Sequence, residues 1–190
     1  MTLTARFEEA LIYATQLHAS QSRKGSATPY VAHLMAVTAL VLENGGNEDE
    51  AIAALLHDAV EDQGGAATRE EIRQRFGDKI VEIVDGCTDA EVIPKPPWRP
   101  RKEAFIVRLR EAPASVRLVV AADKLHNARS VLGDYRVLSE SLWKRFNGGK
   151  DGTLWYYRAA TDALLSAGIT PLIEELDRVV SELEYLAAQA

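Results

Sequence analysis

Apolar residues recur three and four positions apart along most of the chain, which is the spacing of helices that bury one face. The pattern predicts helices over about 4–19, 30–43, 47–62, 68–77, 78–87, 102–111, 113–131 and 170–187. The run 116–120 alone also fits a strand, but its continuation through Leu125 favours one buried helix. Because no repeat and no convincing strand pair appears, we expect an all-α fold, a single compact helical bundle forming one domain over 1–190.

Local signals mark helix starts and one long connection. Asn47 with Glu50 and Thr68 with Glu71 match the capping box, in which two side chains three residues apart satisfy backbone N–H groups at a helix start. Residues 89–100 carry four prolines, which excludes a regular helix there. This stretch is either an ordered, lid-like loop over the core or a mobile surface excursion.

Composition narrows the class of protein. The chain has 190 residues, 47% of them hydrophobic, which is enough to bury a core, and its net charge of −6 argues against a general nucleic-acid or anionic-membrane surface. The single cysteine, Cys87, excludes an intrachain disulfide and fits a reducing compartment. No signal-peptide pattern appears, and no apolar run approaches the roughly 20 residues of a membrane span. We expect a cytoplasmic protein, and the sequence leaves its oligomeric state open, a homo-oligomer included.

Four ionisable residues interrupt the apolar run 51–62: His57, Asp58, Glu61 and Asp62. In a helix these positions share neighbouring turns, so their side chains project toward one region. An imidazole and a carboxylate are suitable ligands for a divalent metal ion, and a second acid could handle a proton or orient a water molecule. The alternative is a helix end whose acids are merely solvated before Gly64.

Two other apolar helices also carry polar residues. His33 lies among apolar residues of the second helix, where a hydrogen-bonded core histidine is the alternative interpretation. Asp123 and Asn127 are four apart and share a helix face, although Asp123 could instead form a structural ion pair or cap. Together His33, His57, Asp58 and Asp123 offer two imidazoles and two carboxylates, a set able to hold one divalent cation with positions left for water and substrate.

Cations and aromatic residues suggest contacts to a nucleotide. The adjacent Arg23 and Lys24 could bind phosphate, or could belong to an ordinary solvated loop. Near the C-terminus, Trp155 and Tyr156 lie among cations, where they could stack on a nucleobase or pack in the core.

The order H…HD…D resembles the HD phosphohydrolase superfamily. The chain is also similar to the hydrolase domain of RelA/SpoT-type alarmone enzymes over roughly residues 5–165. The segments that carry this similarity are 23–24, 29–33, 53–62, 76–77, 84–88 and 122–129. Leu34 stands where a proline often follows the first histidine, and Gln63 where threonine often follows the Glu-Asp pair. The proline-rich 94–100 segment and the region around Trp155 match the long enzymes less well.

The resemblance implies a stand-alone alarmone hydrolase that removes the 3′-pyrophosphate of guanosine tetra- or pentaphosphate. It implies Mn2+, or another divalent ion, bound by His33, His57, Asp58 and Asp123, with Glu61 and Asp62 in the chemistry. With this function we expect the substrate to be bound by Arg23, Lys24, Asn127, Trp155 and Tyr156. We expect crowding of acids to raise the pKa of Glu61 or Asp62.

Two other functions remain open from the sequence. The first is an HD phosphohydrolase for another nucleotide: an adenosine alarmone, NADPH or a nucleoside monophosphate. The second is a non-catalytic nucleotide-sensing domain, which would be expected to have lost some of the six ligand and acidic residues that this chain retains.

Overall fold

A computed structural model describes residues 2–90 and 94–189, and Glu91, Val92 and Ile93 of the predicted loop lie outside the described residues. Within the described ranges the regular structure is helical, and one isolated β-bridge joins Ser22 and Pro29. The helices are α1 (Ala5–Leu17), α2 (Val31–Glu43), α3 (Glu48–Leu56), α4 (Ala59–Asp62), α5 (Ala66–Phe76), α6 (Asp78–Cys87), α7 (Trp98–Glu111), α8 (Ala114–Leu138), a 3-10 helix (Ser139–Arg145), α9 (Gly149–Ala167) and α10 (Pro171–Ala188). The predicted all-α class is confirmed.

The chain divides into two units, Met1–Lys95 with Pro113–Ala122 and Pro96–Ala112 with Asp123–Ala190. The expectation of one domain over 1–190 stays a prediction. No helix in the described part of the chain is long and apolar enough to cross a membrane.

Helix α3 is the buried centre of the first unit. It packs against α1, α2 and α6, and every residue from Ala51 to Leu56 is buried. Helix α5 lies against α4 and α6. Because apolar side chains cover all faces of α3, the residues that follow Leu56 begin inside the core rather than at the surface.

The predicted helix over 47–62 is wrong in one respect, because the structure breaks it at His57 and Asp58. Both residues keep nearly helical backbone angles, φ −60° and ψ −29° for His57 and φ −100° and ψ −2° for Asp58. The His57 ring donates from Nδ1 to the carbonyl of Ala54 at 2.8 Å, the acceptor that a continuous helix would use for the backbone N–H of Asp58. This competition for a backbone acceptor gives a physical reason for the break.

One of the two predicted capping boxes is confirmed and the other is wrong. The Asn47 side chain accepts from the backbone N–H of Glu50, whose carboxylate accepts from the Asn47 N–H at 2.7 Å. Thr68 lies inside α5, where its hydroxyl donates to the Gln63 carbonyl at 2.6 Å. Gly64 and Gly65, with φ of 126° and 60°, turn the chain so that α5 can begin before Thr68.

In the second unit, α9 packs against α7, α10 and the 3-10 helix. Helix α7 begins at Trp98, earlier than the predicted start at 102, with Pro100 in its first turn. Proline is tolerated there because the first N–H groups of a helix have no partner within it. The Trp98 ring lies 2.8 Å from where a Cβ on Gly148 would stand, so this end of the proline-rich stretch packs closely against its own unit.

Helix α8 confirms the helical interpretation of 116–120. Its residues up to Ala122 belong to the first unit, where the Ser115 hydroxyl donates to Glu50 at 2.6 Å. Its later turns belong to the second unit, where Arg136 pairs with Glu182 of α10.

We expect Asn47→Ala to lower the free energy of unfolding by about 1 kcal/mol, because the start of the central helix would lose its cap. Thermal or urea unfolding monitored by circular dichroism measures this loss. Asn47→Ser keeps a capping oxygen and serves as the control, with stability close to that of the wild type. Equal stability of the alanine and serine variants would contradict a stabilising role for the cap.

Candidate metal centre

Three predicted ligands, His33, His57 and Asp58, lie together in the first unit. One ligand atom from each lies within 4.8 Å of the others. Asp58 Oδ2 is 3.0 Å from Nε2 of His57 and 3.6 Å from Nε2 of His33. Both imidazoles are buried, whereas the Asp58 side chain keeps 23% of its exposure. The cluster therefore has a buried histidine side and a carboxylate reachable from solvent.

The hydrogen bond to Ala54 determines which nitrogen of His57 can bind a metal. A carbonyl only accepts, so the Nδ1 atom of His57 carries the proton and, in the neutral ring, Nε2 keeps a lone pair. This nitrogen lies 3.0 Å from the Oδ2 atom of Asp58. Two electron-rich atoms at this distance repel unless a cation lies between them, so the donor set fits a divalent metal ion.

Tyr30 is a site residue that sequence analysis missed. Its hydroxyl donates to Asp58 Oδ2 at 2.6 Å, and its ring packs edge-on against His33 with centroids 5.4 Å apart. The hydroxyl thereby orients a candidate ligand through the same oxygen that faces the two histidines. Tyr30 directly precedes α2, and no periodic pattern marks such a contact.

The acidic pair lies just beyond the candidate ligands, in α4. Glu61 accepts from Lys95 Nζ at 2.8 Å, and Asp62 lies 3.5 Å from the same nitrogen. Burial raises the pKa of the Glu61 carboxyl, the charge of Asp89 raises it further, and Lys95 opposes the shift. Burial therefore contributes more to the raised pKa of Glu61 than the expected crowding of acids does. Lys95 is a second contact that sequence analysis missed, because it comes from the proline-rich segment.

The other oxygen of Asp62 accepts from the Gln21 side chain at 3.0 Å. Two backbone hydrogen bonds fix the position of Gln21. Arg23 N–H donates to the Thr28 carbonyl at 2.9 Å, and Tyr30 N–H donates to the Gln21 carbonyl at 2.9 Å. These bonds join the two ends of the loop that carries Arg23 and Lys24, so Gln21 and Tyr30 lie side by side.

The predicted phosphate-binding pair lies within that loop. The guanidinium of Arg23 is 5.8 Å from the centroid of the Tyr30 ring, a cation–π distance, and Lys24 follows it in the same turn. The roles of both residues stay predictions.

Asp123 and Asn127 lie in the second unit and interact as their spacing predicts. Asn127 Nδ2 donates to Asp123 Oδ1 at 2.5 Å, and Lys124 Nζ donates to Asp123 Oδ2 at 2.6 Å. Burial is the largest single effect on Lys124 and lowers its pKa, but the charge and hydrogen bond of Asp123 together with the nearby Tyr156 and Tyr157 outweigh it, so the pKa is raised. The roles of Asp123 as a fourth ligand and of Asn127 as a nucleoside contact stay predictions.

Trp155 and Tyr156, also in the second unit, lie among cations as expected. The Arg99 guanidinium is 3.3 Å from the centroid of the Trp155 ring, while Lys102 Nζ is 4.6 Å from that of Tyr156. Trp98 packs edge-on against both rings. These contacts agree with the packing alternative, and stacking on a base stays a prediction.

We expect Tyr30→Phe to weaken binding of a divalent metal by roughly 10- to 100-fold, because Asp58 would lose the donor that orients it. Calorimetric titration of chelator-treated protein with Mn2+ measures the change. Tyr185→Phe removes a hydroxyl from an exposed tyrosine of α10 and is the matched control. Unchanged affinity in Tyr30→Phe would show that its hydroxyl does not support the ligand.

A family model described as HD domain matches residues 10–146. The guanosine-3′,5′-bis(diphosphate) 3′-pyrophosphohydrolase MESH1 of Xenopus tropicalis is 37% identical over 126 residues, which are 65% of this chain and 68% of that protein. The bifunctional (p)ppGpp synthase/hydrolase SpoT of Escherichia coli K12 is 33% identical over 137 residues, 69% of this chain but 18% of SpoT.

Solved structures agree with the sequence matches. A metazoan ortholog of SpoT, reported to hydrolyse ppGpp, superimposes with a TM-score of 0.81 at 27% identity over 96% of this chain and 98% of that one. A protein from Listeria monocytogenes EGD-e gives a TM-score of 0.71 at 29% identity over 80% of this chain and 97% of its own. The family model covers well over half of the 190 residues, and the chain therefore belongs to the HD domain family.

Proposed function

We propose that this protein hydrolyses the 3′-pyrophosphate of guanosine tetra- or pentaphosphate, forming GDP or GTP and pyrophosphate. The observation that carries the proposal is the convergence of His33, His57 and Asp58 beside the acidic pair of α4. The Xenopus relative and the metazoan structural neighbour support this choice of substrate. A cytoplasmic location stays a prediction from composition.

The proposed metal ion is Mn2+, bound by Nε2 of His33, Nε2 of His57 and the Asp58 carboxylate. Asp123 is the proposed fourth ligand on the strength of the family resemblance. When bound, such an ion polarises a phosphate oxygen and lowers the pKa of water, which makes a nucleophile available near neutral pH.

Glu61 and Asp62 have separate tasks in the proposed mechanism. Hydrolysis adds water across the bond between the 3′ oxygen and phosphorus, so one proton leaves the attacking water and one reaches the 3′ oxygen. Glu61, whose pKa is raised by burial, holds a proton more readily than an ordinary carboxyl and is suited to take up and return it. Asp62 is held from two sides by Gln21 and Lys95 and is suited to orient the water.

The remaining proposed contacts bind the substrate. Arg23 and Lys24 neutralise phosphates that a protein with a net charge of −6 otherwise repels. Asn127 contacts the nucleoside, and Trp155 with Tyr156 flanks the base. The second unit holds these last three residues, two of them next to cations that also suit an anionic nucleotide.

Product analysis with guanosine tetraphosphate and Mn2+ tests the proposal. The wild type is expected to release GDP and pyrophosphate, while Asp58→Asn loses metal-dependent turnover because a charged ligand is gone. Glu61→Gln and Asp62→Asn are expected to lower kcat by about 10²-fold or more, with metal still bound.

The exposed Asp151→Asn, in the first turn of α9, is the matched control and keeps wild-type turnover. A folded, metal-loaded wild type that does not release pyrophosphate would reject this substrate and direct the search to other nucleotides. Wild-type turnover in both acid variants would refute the assigned roles.

Lys95→Ala is expected to move the acid limb of the kcat/KM profile to higher pH. Lys95 favours the ionised form of Glu61, so its removal raises the pKa of that carboxyl further, and a base must be ionised to act. Rates measured across pH 5 to 9 would give the shift, with the exposed Lys144→Ala as control. A limb that stays in place would show that Glu61 is not the titrating base.

A further inference from the structure

We infer that His18, Gln21 and Gln63 form an amide clamp that fixes the orientation of the Asp62 carboxylate, with Gln21 as the group in direct contact. Gln21 Nε2 is 3.0 Å from Asp62 Oδ2, and Gln21 Oε1 is 2.7 Å from Nδ1 of His18 and 2.5 Å from Nε2 of Gln63. The inference rests on the proposed function, since it assigns positioning residues to the acid that orients the water.

The chemistry of the four groups allows one arrangement of donors. An ionised Asp62 only accepts, so Gln21 must present its NH2 group to it. The Gln21 oxygen then faces the other way, where it accepts one hydrogen bond from Gln63 and one from His18. His18 must therefore carry its proton on Nδ1. If the Gln21 amide were reversed, its oxygen would face the carboxylate and its NH2 would face two donors.

The surroundings of His18 stabilise this arrangement. The ring is 2% exposed and stacks on Tyr30 with centroids 5.1 Å apart and planes 16° apart. Burial lowers the pKa of His18, which favours the neutral form with one ring proton. Tyr30 in turn donates to Asp58, so His18 supports contacts to both a candidate ligand and a candidate catalytic acid.

Gln63 supplies the second donor to the Gln21 oxygen. It follows the acidic pair directly and reaches back to Gln21 across 42 positions of sequence. Two donors on the Gln21 oxygen hold the amide against rotation better than one, and a misdirected catalytic group loses rate without losing substrate affinity.

Steady-state kinetics on the metal-loaded full chain test the clamp. His18→Leu is expected to lower kcat roughly 10-fold with KM changed less than about 2-fold, because orientation and not binding is lost. His18→Asn restores an N–H close to the position of Nδ1 and is expected to recover most of kcat. If His18 acts through Asp62, His18→Leu adds little to Asp62→Asn in the double variant.

A purely structural role for His18 predicts other results. His18→Leu would keep the wild-type kcat, or His18→Asn would not recover kcat, or the losses in kcat from His18→Leu and Asp62→Asn would multiply in the double variant. Each of these would overturn the inference. If His18→Leu does not fold, Gln21→Met, which has similar shape but no amide, takes its place in the same cycle with Asp62→Asn.

A readout without turnover separates this inference from the proposed function. Nitrogen-15 NMR of the Mg2+-loaded wild type is expected to show His18 with its proton on Nδ1, and a proton on Nε2 would overturn the clamp. An enzyme that releases no pyrophosphate but has the Nδ1 proton would count against the proposed substrate and leave the clamp supported.

Discussion

The site depends on an ionisable pair at the end of the central apolar helix, the buried His57 and the half-buried Asp58. Helix α3 has apolar contacts on all sides, so His57 and Asp58 leave it inside the first unit, and the polar groups must be satisfied there. The Ala54 carbonyl takes one imidazole proton and the Tyr30 hydroxyl satisfies one carboxylate oxygen. Nε2 of His57 and a carboxylate oxygen of Asp58 lie 3.0 Å apart, an arrangement that a divalent cation would stabilise. The break in the helix and the metal-binding geometry therefore have the same cause.

Sequence periodicity predicted most of the helices, but no helix was predicted over 139–167, where the 3-10 helix and α9 lie. His57 and Asp58 are adjacent at the break between α3 and α4, and Glu61 follows in α4. Asp123 meets Asn127 through helical spacing. The bond from Gln63 to Gln21 and the bond from Tyr30 to Asp58 join residues distant in sequence. Periodicity carries no information about such contacts, since tertiary packing and a short backbone ladder determine them.

The errors at helix boundaries have local physical reasons. Thr68 with Glu71 has the composition of a capping box, but the positive φ of Gly64 and Gly65 lets the chain start α5 earlier, and Thr68 is then used inside it. The prolines of 94–100 exclude a helix interior but not a first turn, so α7 starts at Trp98. In both cases the residue type was recognised, but its position in the helix was not: Thr68 lies inside α5 and not at its start, and Pro100 lies in the first turn of α7 and not before it.

Charge balance connects the acidic composition of the chain with the anionic substrate proposed for it. Asp58, Glu61 and Asp62 lie close in sequence, and without cations this concentration of negative charge would repel phosphates. Lys95 contacts both acids of α4, yet the pKa of Glu61 remains raised, so one nearby cation does not fully offset burial. In the proposed mechanism, a divalent ion on the histidine side would add positive charge where a phosphate approaches. The proposed mechanism therefore assigns attraction of the substrate to the metal ion and to Arg23 and Lys24, which leaves Glu61 for proton transfer and Asp62 for orienting the water.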